Sequence, residues 1–304
     1  MDLTPTPDSS VRSCERRTRF VDIFRTTPVE TVCPNFYVLA HANGCLFAPQ
    51  CDYCYLQSSF WYLDKQRVFT NVDRLFEDVR AWLRRDDLES YVLNAGNLSD
   101  SLTFEAVRPV MTDLVELFRK EGELAGRKHT LLLVTKGGLS HIAPLCSVAP
   151  STIVVVSFSV NHPEAARLYE RGASPAGDRF LAAEALKERG WRVRIRLDPM
   201  IAGFDYRETA ARIRALQPER VTLGQLRAEP GLLRQVKHEL FAGLGPPASV
   251  KSLARYPLQQ RLALFRQVTD ILGDCCPIGL CEETPEVWNA VFPNRCEAVC
   301  NCGL

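Results

Sequence analysis

The sequence predicts an α/β fold: a partial (β/α)6 barrel of the TIM type with a C-terminal helical, cysteine-rich extension. Three observations predict it. Six short apolar runs alternate with helix-patterned segments between residues 35 and 225. The runs are near-continuously apolar, as parallel strands covered by helices are. After residue 225 the alternation stops, and a stretch rich in Gly and Pro, 243–250 (GLGPPASV), precedes a region of different composition.

The elements follow in order. Residues 1–34, with prolines at 5, 7, 28 and 34, read as an irregular N-terminal segment. Asn35 to His41 (NFYVLAH) has the aromatic and β-branched content of a strand. Val72, Leu75, Phe76, Val79, Trp82 and Leu83 recur at helical spacing. Tyr91 to Asn94 reads as strand two and Phe104 to Arg119 as a helix. His129 to Thr135 (HTLLLVT) reads as strand three, and Ser140 to Cys146 as a short helix. Thr152 to Val160 (TIVVVSFSV) is strand four. Two helices follow, Pro163 to Arg171 and Ala176 to Arg189. Trp191 to Leu197 is strand five, Arg207 to Leu216 a helix and Arg220 to Gln225 strand six. Six right-handed βα units make an open or partial barrel rather than a closed eight-strand one. The barrel is assigned to 35–242. The extension, 243–304, holds one amphipathic helix, Pro257 to Leu272, and a cysteine-rich tail.

Composition bounds the function. Lys and Arg number 37 against 36 Asp and Glu, a net charge of +1, so the chain lacks the global positive charge usual in proteins that grip phosphate backbones. A local basic face is open to Arg192, Arg194 and Arg196. No apolar run approaches the ~20 residues of a membrane span, and the polar start has no signal-peptide core. The expectation is a cytoplasmic monomer. Twelve cysteines without an export signal point to metal or redox chemistry rather than disulfides. Cys14, Cys33 and Cys146 stand alone and read as structural.

Cys45, Cys51 and Cys54 lie in one loop directly after the first strand, spaced Cys-x5-Cys-x2-Cys. Three thiolates from one loop can bind three irons of a cubane cluster and leave the fourth iron open for an external chelator. Structural zinc is the alternative, but it takes four protein ligands, and only His41 lies close in sequence. Free thiols are the other.

The loop after strand one, its three cysteines and the aromatic Tyr53 before the last of them resemble the radical S-adenosylmethionine (SAM) superfamily. The common spacing there is Cys-x3-Cys-x2-Cys, and this chain has two more residues in the first gap. Within the superfamily the chain is most similar to the spore photoproduct lyase-like group. The carrying segments are CDYCYLQ (51–57), FTNVD (69–73), GNLSDSL (96–102), LVTKGG (133–138), VSFSVN (156–161), RIRLDPMIAG (194–203) and LCEETPEVW (280–288). Photoproduct lyase carries a hydrogen-donor cysteine a few dozen residues after its cluster, whereas no cysteine lies between Cys54 and Cys146 here.

The resemblance implies a [4Fe–4S] cluster on Cys45, Cys51 and Cys54, SAM as cosubstrate, and an electron donor such as flavodoxin or ferredoxin. Catalytic groups of such barrels sit at the C-terminal strand ends. There Ala95, Gly96 and Asn97 follow strand two, where the family meets the SAM amino group. Lys136 follows strand three and is a candidate for the SAM carboxylate, or a solvated loop lysine. Ser159 and Arg196 are candidates for the ribose or carboxylate, or ordinary structural partners. Met200, with Ile201, is a candidate for the adenine.

Cys275, Cys276, Cys281, Cys296, Cys300 and Cys302 place six thiols within 28 residues. They read as an auxiliary iron–sulfur cluster, as a site for a thiophilic atom such as trivalent arsenic, or as structural zinc or a redox pair. Three functions are weighed. The first is radical SAM chemistry on a small or thiophilic substrate, with methyl or 3-amino-3-carboxypropyl transfer to arsenic as its sharp form. The second is DNA-lesion repair of the photoproduct lyase kind. The third is a non-catalytic metal sensor. The near-neutral charge and the absent donor cysteine favour a small-molecule substrate over nucleic acid.

Overall fold

The computed structural model describes residues 11–25, 27–28, 30–236, 238–293, 300 and 302–303. Its main sheet has eight strands: β1 (Val21–Phe24), β2 (Phe36–Leu39), β3 (Val92–Asn94), β4 (Thr130–Thr135), β5 (Val154–Val160), β6 (Arg192–Met200), β7 (Arg220–Gln225) and β8 (Ile278–Leu280). Their order in space is their order in the chain. β1 pairs antiparallel with β2; every later neighbour pair is parallel. The crossovers carry α1 (Val72–Leu83), α2 (Met111–Leu117), α3 (Pro163–Tyr169), α4 (Ala176–Glu188), α5 (Arg207–Leu216) and α6 (Leu258–Leu272), and α7 (Pro285–Val291) follows β8.

The two faces of the sheet differ because side chains alternate along a strand. One face presents Leu131, Leu133, Val154, Val156, Phe158, Ile195, Leu197, Val221 and Leu223 to the helices, in one continuous core. α1 buries Leu75, Val79, Trp82 and Leu83 there, the stripe that its spacing predicts. Each of these large side chains stabilises the fold by roughly 1.5–3 kcal/mol. The other face carries the buried polar side chains of the sheet, Asn94, Ser157, Ser159, Arg194, Arg220 and Thr222, beside smaller apolar clusters of Phe36 with Val38 and of Val92, Leu132 and Val155; it is called the polar face below. Cys300, Cys302 and Gly303 cover part of that face. Arg194 Nη1 donates to the Gly303 carbonyl at 3.1 Å, and Arg220 Nη1 to those of Cys300 and Gly303 at 2.8 and 2.9 Å.

Several expectations need correction. Residues before Asn35 are not wholly irregular. Val11–Cys14 pairs with Gln66–Phe69 in a small separate sheet, and Val21–Phe24 is β1. The helix expected from Phe104 begins only at Met111. Pro109 disfavours helical backbone at the residue before it, and the Glu105 carboxylate accepts the Val110 and Met111 amides at 3.0 and 3.1 Å, closing the helix start from outside. Strand five runs on to Met200. The extension is not purely helical, since Ile278–Leu280 forms an edge of the main sheet. Among the described residues no helix is long and apolar enough to cross a membrane.

Candidate active site

The cysteine loop is anchored at both ends. Ala42–Asn43, just before it, pairs with Gln66–Phe69 in the small sheet. Gly44 follows at φ +95°, with the Gln66 side chain where a Cβ would stand. At the far end Cys54 N donates to the Cys51 carbonyl at 3.0 Å, and Gln57 Nε2 to the same carbonyl at 2.8 Å. Across the loop, Asp52 N donates to the Tyr169 carbonyl at 2.9 Å, and Gly172 lets the backbone of Ala48 and Pro49 pack where a Cβ would collide. The three thiols lie within electrostatic reach of one another. Burial pushes the Cys45 thiol well up and Cys51 up to about 12, the latter opposed by Lys136; burial raises Cys54 as well.

Tyr53 stands between Cys51 and Cys54 and is fixed by a buried network. Its hydroxyl donates to Glu170 Oε1. The same carboxylate accepts from Lys136 Nζ at 3.1 Å and Asn161 Nδ2 at 2.9 Å, and pairs with Arg179 Nη1 at 2.5 Å. Glu170 and Arg179 are fully buried. Burial alone would raise the Glu170 pKa; Lys136 and Arg179 instead hold it well below the usual carboxylate range. Lys136 Nζ also donates to Tyr53 Oη at 2.9 Å.

The turn after β3 forms the next wall. Gly96 N donates to Asn94 Oδ1 at 2.8 Å, and Tyr55 Oη donates to the Asn97 carbonyl. Glycine is required at 96 because a Cβ there would meet Val134 Cβ at 2.5 Å. The Ala95 carbonyl lies 3.1 Å from His41 Nε2, which is also 2.7 Å from Ser99 Oγ. His41, held neutral by burial, is thus engaged in the turn rather than turned to the thiols. Asp100 braces the turn against β4, accepting from Leu102 N and Lys136 N at 2.9 and 2.7 Å.

Opposite lies a second charged group at the ends of β6 and β7. Asp198 pairs with Arg196 and, at 2.7 Å, with Arg227; Arg227 also meets Glu282 at 2.5 Å. Both guanidinium groups donate to Cys281 Sγ, at 3.0 and 3.2 Å. Burial pushes that thiol up to about 12, against Arg196 and Arg227. Cys300 and Cys302 lie on the polar face nearby. The hydrogen bond between them lowers Cys300 and raises Cys302, and Asn94 Nδ2 reaches Cys302 Sγ at 3.9 Å. Cys33, read as isolated, is close enough to feel Cys281 and Cys300. Cys275 Sγ donates to Cys276 Sγ at 3.6 Å at the end of α6. Cys296 lies outside the described residues.

The structure therefore brings Cys45, Cys51, Cys54, Tyr53 and Lys136 together, with Ala95, Gly96 and Asn97 in the adjoining turn. Ser159 is buried on the polar face, one register row from Ser157. Met200 and Ile201 are buried in the main core. The basic face expected of Arg192, Arg194 and Arg196 is neutralised: Glu219 pairs with the first two and Asp198 with the third. Sequence reading missed Glu170, Asn161, Arg179 and Arg227. Tyr53 and Glu170 are 117 residues apart, and no spacing rule links them.

Two observations test the fit of an iron–sulfur cluster with a polar ligand. Three thiols converge electrostatically in one braced loop. On the polar face, the buried hydroxyls of Ser157 and Thr222 have no hydrogen-bond partner among the described residues, as groups awaiting a polar ligand would not. Among the described residues no three His, Cys, Asp or Glu side chains are grouped to hold one metal ion; a cubane differs, since each thiolate takes its own iron.

A family model described as "Spore photoproduct lyase" matches residues 5–222. The fold is similar to spore photoproduct lyase complexed with dinucleoside spore photoproduct: TM-score 0.70, 18% identity, 89% of this chain and 81% of that one. It is also similar to a variant of that enzyme with bound AdoMet and dinucleoside spore photoproduct: TM-score 0.69, 17% identity, 90% and 82% coverage. No curated protein is significantly similar. The preference for a small-molecule substrate over nucleic acid is thereby corrected, because both solved relatives hold a dinucleoside lesion. Net charge misled there: it averages over the whole chain and says nothing of one face. Group transfer to arsenic gains no support from these comparisons.

Proposed function

This chain belongs to the spore photoproduct lyase family, whose members are radical SAM enzymes, and on that premise we propose that it acts as a lyase on a dinucleoside photoproduct lesion in DNA. The observation that carries the proposal is the braced loop of Cys45, Cys51 and Cys54, set beside the turn after β3 and the polar sheet face. We read β2 to β7 of the chain-ordered parallel sheet as the partial barrel, 35–242, with β8 added to its edge, and the polar face as the lumen.

Cys45, Cys51 and Cys54 would hold a [4Fe–4S] cluster, and the polar face would take SAM. When bound, these groups supply reductive cleavage of the sulfonium and a carbon-centred radical able to abstract hydrogen. The chain's own residues orient and exclude water. Gly172 and Tyr169 seat the loop, and Glu170 fixes Tyr53 between two ligands. Ala95, Gly96 and Asn97 would form the wall at the SAM amino acid end. Ser159, Ser157 and Thr222 offer hydroxyls, while Lys136 and Arg196, both already matched by carboxylates, place positive charge without stranding it.

The test is anaerobic reconstitution with iron and sulfide, then incubation with SAM, dithionite and dinucleoside spore photoproduct. We expect about four irons per chain, SAM cleavage and consumption of the photoproduct. Cys45→Ala/Cys51→Ala/Cys54→Ala should lose all three. Cluster and SAM cleavage without photoproduct consumption would remove the substrate assignment. Absence of iron in well-reconstituted wild type would remove the cluster.

A further inference from the structure

We propose that Phe60, Trp61 and Tyr62, together with the unmatched arginines in and beside the adjoining small sheet, form the surface that docks a nucleic-acid strand beside the cysteine loop. The inference rests on the DNA reading above and says where the strand sits.

The aromatic side is unusual for a folded surface. Trp61 is 68% exposed and Tyr62 58%. The Trp61 and Tyr62 rings are 6.3 Å apart at 84°, and Phe60 lies 6.5 Å from Tyr62. Two large rings are thus held in fixed relation with faces open to solvent. Exposed aromatic faces stack on bases without regard to sequence.

The charged side adjoins it. Arg12 and Arg67 are register partners on neighbouring strands of the small sheet. Arg16 lies over the Phe69 and Phe20 rings at 5.2 and 5.8 Å, and is held by backbone rather than carboxylate: its Nε donates to the Arg19 carbonyl at 2.8 Å. Arg74 Nη1 donates to the Arg16 carbonyl at 3.1 Å. Among the described residues Arg12, Arg16, Arg67 and Arg74 form no ion pair, whereas Arg25, Arg192 and Arg261 are matched by Glu89, Glu219 and Glu283. Asp78 accepts the Phe20 amide at 2.8 Å and Asp22 the Ile23 amide at 2.9 Å; both attract Arg16 but neither forms an ion pair with it. Arg16 is half-buried and feels Arg74, Asp22, Asp78 and Tyr62, and it lies over Phe69 at the end of the strand that follows Trp61 and Tyr62, so the basic and aromatic groups adjoin. Unmatched cations beside open rings fit a polyanion that carries stackable bases.

The position fits as well. Ala42–Asn43 belongs to the same small sheet and leads into Cys45, and Trp61 follows Cys54 by one short helix, Leu56–Ser59. A strand on this surface lies against both ends of the cysteine loop.

The experiment measures anisotropy of a fluorescein-labelled 12-nucleotide oligothymidylate, from 50 to 200 mM salt, on reconstituted protein. Trp61→Ala/Tyr62→Ala should weaken binding at least about tenfold with an unchanged salt slope. Arg12→Ala/Arg67→Ala should reduce the slope by about 1.4, two single-strand phosphate contacts. Substrate-free SAM cleavage with dithionite should match wild type in both, and an unchanged Tm shows that the variants fold. If wild type binds no oligonucleotide, the DNA reading and this inference fall together. If wild type binds and both variants bind equally well, the surface assignment alone falls. If the variants lose only flavodoxin-supported SAM cleavage, the surface docks a reducing protein and the proposal is overturned.

Discussion

Glu170→Gln isolates the network behind Tyr53. The substitution keeps the side chain's size and removes its charge. The carboxylate is fully buried and faces two cations, Lys136 at 3.1 Å and Arg179 at 2.5 Å, the latter fully buried too. Breaking such a pair strands a buried charge, which costs about 3–5 kcal/mol. At about 2.1 cal/mol/K per residue, a chain of 304 residues has an unfolding entropy near 0.6 kcal/mol/K, so the expected fall in Tm is roughly 5–8 °C. Differential scanning calorimetry reads it directly. Lys136→Met/Glu170→Gln removes one stranded cation and should lose less than the sum of the two single losses, by at least about 1 kcal/mol of coupling. A Glu170→Gln protein melting within about 1 °C of wild type, or a double variant whose loss is the plain sum of the singles, would refute the view that this carboxylate exists to neutralise Lys136 and Arg179.

Further outcomes follow from the same geometry. Glu170 and Asp198 are both held below the ordinary carboxylate range despite burial, by Lys136 and Arg179 and by Arg227 and Arg196. Their stabilisation is therefore present above the unfolded pKa of about 4 and lost as pH falls below it, so urea midpoints should hold from pH 7 to 5 and drop towards pH 3; a flat profile through pH 3 would contradict this. Gly96→Ala, whose Cβ meets Val134 Cβ, should cost about 1–3 kcal/mol, with partial recovery in Gly96→Ala/Val134→Gly and none in Gly96→Ala/Val134→Ala, which keeps the clashing Cβ; equal recovery in both double variants would show that the Cβ contact is not the cause. Gly172→Ala presses on loop backbone rather than on a movable side chain, so reconstituted iron should fall well below wild type while circular dichroism stays native; full iron loading would refute the packing role.

What could be read from the sequence was what local physics decides. β4 and β5 are apolar on most of their residues, and α1 repeats its apolar stripe, so each identifies itself without knowledge of its neighbours. The cysteine loop is legible for the same reason: its ligand types and spacing are contiguous. β1, Val11–Cys14 and β8 were not legible. VDIF, VRSC and IGL are three or four residues long, and strand preference in such pieces is set by the edge they pair with. The bracing of the site is tertiary throughout. Glu170 reads as the end of α3, and only the fold brings it under Tyr53. Arg194 and Arg196 read as a basic face because their carboxylates, Glu219 and Asp198, become partners only once β6 and its neighbours are aligned.

The main sheet lies in space in the order of its strands along the chain, and this bears on how the protein is made. Each strand of a growing polypeptide meets, as its partner, the one that left the ribosome just before it. The sheet can accrete one βα unit at a time, and long loops need not close before pairing begins. Two tasks are deferred: docking β8 at the far edge, and laying the Cys300 and Gly303 carbonyls on Arg194 and Arg220. Until then those two guanidinium groups lack these acceptors, so a nascent chain stalled before residue 278 should show a formed sheet with an unsealed polar face.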